Sequence, residues 1–262
     1  MATILLSDPP DQPPRSSVER SDLDLKSPAF IEFSERLRRV QDAIEVARLQ
    51  VGPGVSPRLV AVSKVQPVEA LLQARAAGVA DFGENYAQEM VDKQAALASI
   101  PDFANVTWHF IGKLQRNKVK MVVGKSLIHT VDRLELLREI ERRAALLNLQ
   151  QSCLVEVNWG EAQKAGIEAD AVKTLLDGFS SCHHVRCVGL MTIPPVDEPS
   201  QSRRYFAKLR ALRDQLDGEQ RPRVELRELS MGMSSDYVEA VLEGATIVRV
   251  GSAIFGSRPV RS

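Results

Sequence analysis

Short apolar runs alternate along the chain with longer segments in which apolar residues recur every three or four positions. The short runs are typical of buried parallel strands, and the wider spacing is typical of helices with one buried face. The predicted strands comprise residues 59–64, 80–82, 106–111, 127–130, 153–157, 185–191, 225–229 and 246–250. The predicted helices between them comprise residues 68–77, 86–98, 117–122, 132–147, 170–176, 200–216 and 236–242. This order predicts an α/β protein with one (β/α)8 barrel, and a doubly wound open sheet is the alternative.

A further helix is predicted before the first strand, from Phe30 to Gln50, where apolar residues again fall on one face. We expect this extra element to close one end of the fold. Residues 1–28 are rich in proline, serine and aspartate. Because such a segment buries too little apolar surface to offset the entropy of ordering, it is predicted to be a flexible tail. The remaining chain is predicted to form one domain at 29–258 and a short C-terminal tail at 259–262.

Composition excludes several classes of function. The 34 basic and 34 acidic residues balance, so neither a nucleic-acid footprint nor a polybasic membrane patch is indicated. No apolar run approaches the ~18 residues of a membrane-spanning helix. The three cysteines form no CxxC pair, which favours a reducing compartment, the cytoplasm, and argues against a zinc site.

The first predicted strand ends in Lys64, directly after the apolar residues LVAV. Ligands of α/β folds bind where parallel strands end, at the mouth of the sheet or barrel. A partly desolvated amine at that place has a lowered pKa and can act as a nucleophile toward an aldehyde. The alternative is a surface lysine whose ammonium group is solvated, as most lysines are.

A barrel would bring the ends of all its strands to one face. The polar or distinctive residues at those ends are Lys64, Asn85, His109, His129, Asn158, Met191, Ser230 and Arg249. This set has neither the paired carboxylates of a glycosidase nor a metal-ligand cluster. The two histidines could equally be hydrogen-bonded core residues, Asn85 could cap a helix, and Asn158 could satisfy a turn.

The last two strands are followed by segments rich in glycine and serine. One is Leu229–Ser234, and the other is Arg249–Ala253. Loops after strands seven and eight are the usual phosphate site of such barrels, although serine and glycine are also ordinary turn residues. A phosphate site that shares a barrel mouth with an amine suits pyridoxal 5′-phosphate (PLP), whose aldehyde forms a Schiff base with lysine. An arginine facing the pyridine nitrogen would disfavour protonation of that nitrogen.

Six sequence blocks occur in the same order as in the pyridoxal phosphate homeostasis proteins, the YggS/PROSC family. The blocks are AVSKVQP around Lys64, FGENYAQE around Asn85, WHFIGKLQRNK from Trp108, GLMTIPP from Gly189, SMGMSSDY from Ser230 and RVGSAIFGSR from Arg249. The chain resembles this family over residues 30–258. The family's single domain is similar to the barrel domain of bacterial alanine racemase, so the resemblance implies the same barrel and PLP as cofactor.

The resemblance also implies roles for individual residues. Lys64 matches the lysine that carries the cofactor as an internal aldimine, and Arg249 matches the arginine that faces the pyridine nitrogen. The positions matched to phosphate contacts, or to blocks that border the cofactor, are Asn85, Ser230, Ser234, Gly251 and Ser252. The turn after the fifth strand departs from the family's hydroxyl-rich pattern because it contains Trp159 and Ala165.

Three functions are considered. The resemblance favours a non-catalytic carrier that holds PLP for vitamin B6 and amino-acid or keto-acid balance, as a monomer, and passes it to apoenzymes or regulatory partners. A racemase would need a second base, which in alanine racemase is a tyrosine from a separate C-terminal domain of a partner subunit. The chain ends at Ser262, and Tyr86, Tyr205 and Tyr237 fall in or beside predicted helices. The third function is signalling through the charged helix face at 132–143, although such faces are usually only solvated.

Overall fold

The computed structural model describes residues 24–256, except Pro53, Val55 and residues 161–164 and 196–198. The strands are β1 Arg58–Val62, β2 Asp81–Glu84, β3 Thr107–Phe110, β4 Leu127–Val131, β5 Gln151–Asn158, β6 Ile167–Glu168, β7 Val185–Thr192, β8 Val224–Ser230 and β9 Ile247–Val250. The α-helices are α1 Pro28–Val51, α2 Val68–Ala76, α3 Ala87–Leu97, α4 Val119–Val122, α5 Leu134–Leu146, α6 Val172–Ser180, α7 Pro199–Asp217, α8 Tyr237–Leu242 and α9 Ser252–Phe255.

The strands close into a ring. The sheet order is β4-β3-β2-β1-β9-β8-β7-β5, and β4 also pairs with β5. The strand pairs around the ring are parallel, and the short β6 adds only an outer pairing to β5. The predicted (β/α)8 barrel is therefore confirmed, and an open doubly wound sheet is excluded because such a sheet would leave two unpaired edges.

Each strand divides its side chains between two environments because successive residues point to opposite faces. Phe82 and Val248 face outward and belong to the apolar core between the barrel and its helices. The strand register places Val60 beside Asp81 on one side and Arg249 on the other, so these three residues share the barrel interior. The outer core is apolar, whereas the interior of the barrel carries buried charges.

Helix α1 fills a place in the outer layer. It contacts α2, α8 and α9, so it lies in the helix layer. The expectation that it closes one end of the barrel is therefore wrong. The reason is that α9 has only four residues and leaves room beside α8 for the apolar face of α1. Phe33 packs against Phe255 with ring centroids 5.6 Å apart, and Arg36 Nε donates to the Ile254 carbonyl at 2.8 Å.

The start of the domain differs slightly from the expected boundary. Helix α1 begins at Pro28, the last residue of the predicted tail, and the side chain of Ser27 caps it by accepting from the Phe30 amide at 3.3 Å. Residues 1–23 and 257–262, which include most of the predicted tails, lie outside the described residues. Within the part of the chain that the structure describes, no helix is long and apolar enough to cross a membrane.

We expect Phe33→Ala to lower the free energy of unfolding by roughly 3–5 kcal/mol because it removes a buried ring from the α1 contact. Phe33 is buried, whereas Ile31 on the same helix is 49% exposed. Ile31→Ala is therefore the matched control and should change stability by only ~0.5 kcal/mol. Urea unfolding of both variants measures the difference. Equal effects would show that α1 does not dock through this face.

Candidate functional site

A cavity of 320 Å³ opens where the barrel strands end. Its lining residues are Val62, Lys64, Gln66, Asn85, Ile111, Ile193, Met233, Ser234, Ser235, Arg249, Gly251, Ser252 and Gly256. Six of the seven site residues singled out from the sequence are therefore brought together. The exception is Ser230, which is fully buried and is absent from the cavity wall.

A second, larger hollow of 590 Å³ lies at the opposite face of the barrel, where the strands begin. Arg58 and Glu228, two of its charged side chains, pair with each other at 2.7 Å. Barrel enzymes and cofactor proteins bind their ligands at the carboxyl ends of the strands. The smaller cavity, with its six converging residues, is therefore the candidate site.

The candidate cavity has a positive electrostatic character. Among its described lining residues are the cations Lys64 and Arg249 and no carboxylate. Burial lowers the pKa of the Arg249 guanidinium to about 10, against the opposing effects of Glu156 and Asp236, so Arg249 remains charged at neutral pH. Such a lining suits an anionic ligand.

Arg249 is held in place by hydrogen bonds from both arms of its guanidinium. Nη1 donates to Ser230 Oγ at 2.6 Å, and Nη2 donates to the Thr192 carbonyl at 2.9 Å. The Thr192 hydroxyl donates in turn to the Val157 carbonyl at 2.9 Å, and it accepts from Trp159 Nε1 at 3.0 Å. Trp159, which departs from the family pattern, therefore supports the strand end that positions Arg249.

The turn that presents Lys64 has an unusual backbone. Val65, the next residue, has a φ of 58°, a left-handed conformation that a β-branched residue rarely adopts. Its amide donates to Glu89 Oε1 at 2.5 Å, and the Gln66 amide closes the turn on the Ser63 carbonyl at 3.0 Å. A carboxylate on α3 thus stabilises the strained conformation beside Lys64.

A buried ion cluster lies beneath this turn. Lys93 Nζ donates to the Ser63 carbonyl at 2.6 Å, to Glu84 Oε1 at 2.7 Å and to Glu89 Oε1 at 2.6 Å. The Ser63 hydroxyl also donates to Glu84 Oε1, at 2.7 Å. Burial raises the pKa of Glu84, and the Lys93 ammonium opposes that rise. The cluster links both residues that flank Lys64 to α3.

The hydroxyl-rich end of the cavity joins the loops after β8 and β9. Ser234 Oγ accepts from the amides of Gly251 at 3.1 Å and Ala253 at 3.2 Å. The close approach of the two loops depends on Gly232. Its φ of 90° favours glycine, and an added Cβ would lie 2.5 Å from the Cβ of Ala240. The two segments predicted to bind phosphate are therefore adjacent, and Ser235 and Ser252 add two further hydroxyls to the wall.

The two histidines of the strand-end set lie inside the barrel, outside the cavity lining. Both are fully buried, and His109 Nδ1 lies 2.9 Å from His129 Nε2. They are thus hydrogen-bonded core residues, one of the two interpretations left open by the sequence. Asn158 and Met191 are also buried and are not on the cavity wall.

Comparison with known proteins identifies the family. The alanine racemase N-terminal domain family matches residues 36–259. A pyridoxal phosphate homeostasis protein of Aquifex aeolicus is 44% identical over 86% of this chain and 97% of its own length. One from Pseudomonas aeruginosa is 41% identical over 76% of this chain and 84% of its own. The chain belongs to the pyridoxal phosphate homeostasis protein family.

A solved structure supports the same assignment. PipY of Synechococcus elongatus PCC7942, determined with PLP bound, is 37% identical, with a TM-score of 0.74. The match covers 86% of this chain and all of the PipY chain. The resemblance of the six sequence blocks to this family is therefore confirmed over nearly the whole barrel.

The side chains present in this family member fit a phosphorylated aldehyde. Asn85 Oδ1 on the cavity wall is buried and has no hydrogen-bond partner within the described residues, so a ligand group that donates a hydrogen bond would satisfy it. Close packing fixes the backbone there, because a Cβ on Gly112 would lie 2.0 Å from the Asn85 carbonyl oxygen. Lys64, Arg249 and the serine hydroxyls supply an amine, a fixed cation and hydrogen-bond donors in the same cavity.

Several residues that support the site were not identified from the sequence: Ser63, Glu84, Glu89, Lys93 and Thr192. The spacing of Glu89 and Lys93 is that of an i,i+4 helix pair, a signal that was available. The same spacing occurs in many solvated helices, however, and does not reveal burial. Only the packing of α3 against the Ser63 turn shows that the pair acts on the Lys64 segment.

We expect Lys93→Met to lower the free energy of unfolding by about 3–5 kcal/mol because it leaves buried carboxylates without their cation. The loss should increase with pH, since Glu84 then has to ionise without Lys93. Lys120→Met, on the exposed part of α4, is the control and should have little effect. Urea unfolding at several pH values tests this, and equal stabilities of the two variants would contradict it.

Glu156 predicts a second pH dependence. Burial raises the pKa of this carboxyl from 4.5 to about 7, helped by Asp132 and opposed by Arg249 and Lys113. Protonated Glu156 therefore stabilises the fold fully below about pH 4.5, and this contribution is lost as the pH rises through 7. Relative to wild type, Glu156→Gln should gain up to roughly 3 kcal/mol of stability over that interval.

Urea unfolding of wild type and Glu156→Gln between pH 5 and pH 8 measures this gain. Other titrating groups are common to both proteins and cancel in the difference. A stability difference that does not change with pH would show that Glu156 has an ordinary pKa in the folded protein.

Proposed function

We propose that this protein is a non-catalytic PLP carrier, which binds the cofactor reversibly at Lys64 for vitamin B6 and amino-acid or keto-acid balance. The observation that supports this most directly is the cavity, which brings together Lys64, Arg249 and a serine-rich wall. Among the residues described in its lining there is no carboxylate. The 37% identical PipY, whose structure contains PLP, supports the choice of ligand. In this proposal Lys64 is the covalent attachment point.

When bound, PLP supplies an aldehyde that condenses reversibly with a lysine amine. Ser234 and Ser252 would hold the phosphate through their hydroxyls, and Gly251, whose amide donates to Ser234, would position that hydroxyl on the wall. Arg249 would face the pyridine ring from the barrel interior, where its position is fixed by two hydrogen bonds. Ser230 would act by supporting Arg249 from behind, because its hydroxyl contacts that guanidinium and not the cavity.

The site is poorly equipped for racemisation. Racemisation needs two bases on opposite sides of the reacting carbon. Tyrosine and histidine, the side chains that most often serve as a second base, are absent from the described residues that line the cavity. Tyr86 is 57% exposed, and Tyr237 lies on α8, so neither reaches the wall. Arg249, a permanent cation, also disfavours protonation of the pyridine nitrogen on which most such enzymes depend.

The recipients in this proposal are PLP-dependent apoenzymes, and the protein would act as a monomer in the cytoplasm. The cysteines support a reducing environment, since Cys153, Cys182 and Cys187 are all free and buried. Burial raises the pKa of the Cys182 and Cys187 thiols to about 12, so they are unreactive at neutral pH. A sedimentation equilibrium measurement would test the expected monomer.

We expect wild-type protein incubated with PLP to show a visible absorption band and Lys64→Ala to lack it. Borohydride should fix the cofactor on the peptide that contains Lys64, as seen by mass spectrometry. Lys125→Ala, which removes a lysine from the opposite barrel face, is the matched control and should keep the band. Retention of the band in Lys64→Ala would overturn the assignment of Lys64.

Carrier and enzyme are separated by two further measurements on the loaded protein. A carrier should reactivate a PLP-dependent apoenzyme and should leave L-alanine unracemised. Turnover of alanine that disappears in Lys64→Ala would instead establish a racemase.

A further inference from the structure

Five polar side chains form a continuous line of hydrogen bonds through the interior of the barrel. Arg249 Nη1 lies 2.6 Å from Ser230 Oγ, and Ser230 Oγ lies 2.9 Å from His129 Nδ1. His129 Nε2 lies 2.9 Å from His109 Nδ1, and His109 Nε2 lies 2.9 Å from Asp81 Oδ1. We call these five residues the interior relay. It connects β9, β8, β4, β3 and β2, and so crosses the barrel between β8 and β4.

The two ends of the relay lie in different environments. Arg249 is 3% exposed and lines the candidate cofactor cavity. The Asp81 side chain is 16% exposed and lies at the beginning of β2, toward the opposite face of the barrel. The three residues between them, Ser230, His129 and His109, are fully buried. The relay therefore links the cavity to the far face of the barrel, and its three middle residues have no contact with solvent.

The end groups determine the positions of the protons. Arginine can only donate and an ionised aspartate can only accept, whereas a hydroxyl and a neutral imidazole do both. Asp81 thus requires a proton on His109 Nε2, which leaves His109 Nδ1 to accept from His129 Nε2. His129 Nδ1 then accepts from the Ser230 hydroxyl, whose oxygen accepts from Arg249. Each of the four contacts holds one proton, and both histidines are neutral.

No other arrangement satisfies all five side chains. If His109 carried its proton on Nδ1, the direction would reverse, and the Ser230 proton would have no acceptor within the relay. If either ring were charged, two N–H groups would face each other, or His129 Nδ1 would donate to Ser230 and the Ser230 proton would again have no acceptor within the relay. A buried donor without a partner is costly, so the acceptor at Asp81 decides the direction of the whole line.

The charges that surround the relay agree with neutral histidines. Burial lowers the pKa of His109, and the nearby Arg58 lowers it further against the opposing effects of Asp81 and Glu228. Burial lowers the pKa of His129 well below its ordinary value, and His109, Arg249 and Arg58 act in the same direction. Four strands, β1, β2, β8 and β9, thus supply the charged groups that face the two rings.

We propose that Asp81 is a positioning residue for the cofactor site, which acts through His109, His129 and Ser230 to fix the orientation of the Arg249 guanidinium. This inference rests on the proposed function, since it assumes that Arg249 faces bound PLP. It assigns a role in ligand binding to a residue at the other face of the barrel. It also gives a role to Ser230, which is absent from the cavity wall.

The proton positions can be measured without the cofactor. The chain contains four histidines, and His183 and His184 lie outside the relay. Long-range proton–nitrogen NMR spectra of labelled unliganded protein distinguish the two neutral tautomers from the charged ring. Single His183→Gln and His184→Gln variants assign the remaining signals. We expect both relay histidines to be neutral with the proton on Nε2 at pH 7.

The effect on the ligand is measured by PLP titration and by the visible spectrum of the loaded protein. Asp81→Ala removes the acceptor and should shift the absorption maximum. It should also weaken PLP binding roughly tenfold, which is the effect expected from the loss of one buried hydrogen bond. Asp81→Asn keeps an acceptor oxygen and should restore most of the affinity. Glu225→Gln is the control, because it removes a carboxylate from the same barrel face outside the relay.

A second variant that interrupts the relay keeps the test valid if Asp81→Ala folds poorly. In His109→Gln the amide nitrogen can take the place of Nε2 as the donor to Asp81, but no acceptor occupies the position of Nδ1 opposite His129, so PLP binding should weaken to a similar extent. Circular dichroism verifies the fold of each variant.

The possible outcomes separate the two proposals. A charged relay histidine, or a proton on His109 Nδ1 in wild type, would overturn the relay whatever the protein binds. The predicted tautomers together with wild-type affinity and spectrum in Asp81→Ala and His109→Gln would overturn the positioning role while PLP binding stands. Failure of wild type to bind PLP would overturn the proposed function and, with it, this role for Asp81.

Discussion

The candidate site depends on one constraint, a guanidinium that is buried inside a barrel. A buried charge is tolerated only where its hydrogen bonds are made and opposite charge is within reach. Arg249 meets this requirement through Ser230 and the Thr192 carbonyl, and Glu156 and Asp236 act on it electrostatically. The polar residues of the barrel interior are understood most simply as the surroundings that this cation requires.

The two cations of the cavity are supported by separate structures. Lys64 is presented by a turn that α3 stabilises through Glu89 and Lys93, outside the barrel wall. Arg249 is fixed from within the barrel. Strand β2 contributes to both networks, since it sends Asp81 into the interior and Glu84 outward to Lys93. A few residues of β2 therefore serve two networks because alternate side chains point to opposite faces.

The order of the elements could be predicted from the sequence because buried parallel strands and amphipathic helices have different spacings of apolar residues. The predicted cavity residues came from strand ends, which a barrel must bring together. The residues that hold Lys64 and Arg249 in place could not be predicted in the same way. Whether Ser230 points into the cavity or beneath it depends on the register of β8 against β9, and a spacing of residues in the sequence does not contain that register. For the same reason, the position of Asp81 at the start of β2 gave no sign of its contact with His109.

The difference between a carrier and an enzyme can be stated in terms of these two supports. An enzyme that uses PLP has to move protons at the reacting carbon, so it needs bases that titrate near neutral pH in contact with the ligand. In this protein two histidines and a carboxyl whose pKa values are shifted by burial, His109, His129 and Glu156, lie in the interior, behind the cavity wall. They act on the orientation and charge of Arg249, and none of them lines the cavity. The described lining therefore suits the binding of an anionic aldehyde, because it combines the Lys64 amine with a guanidinium whose position is fixed from behind the wall.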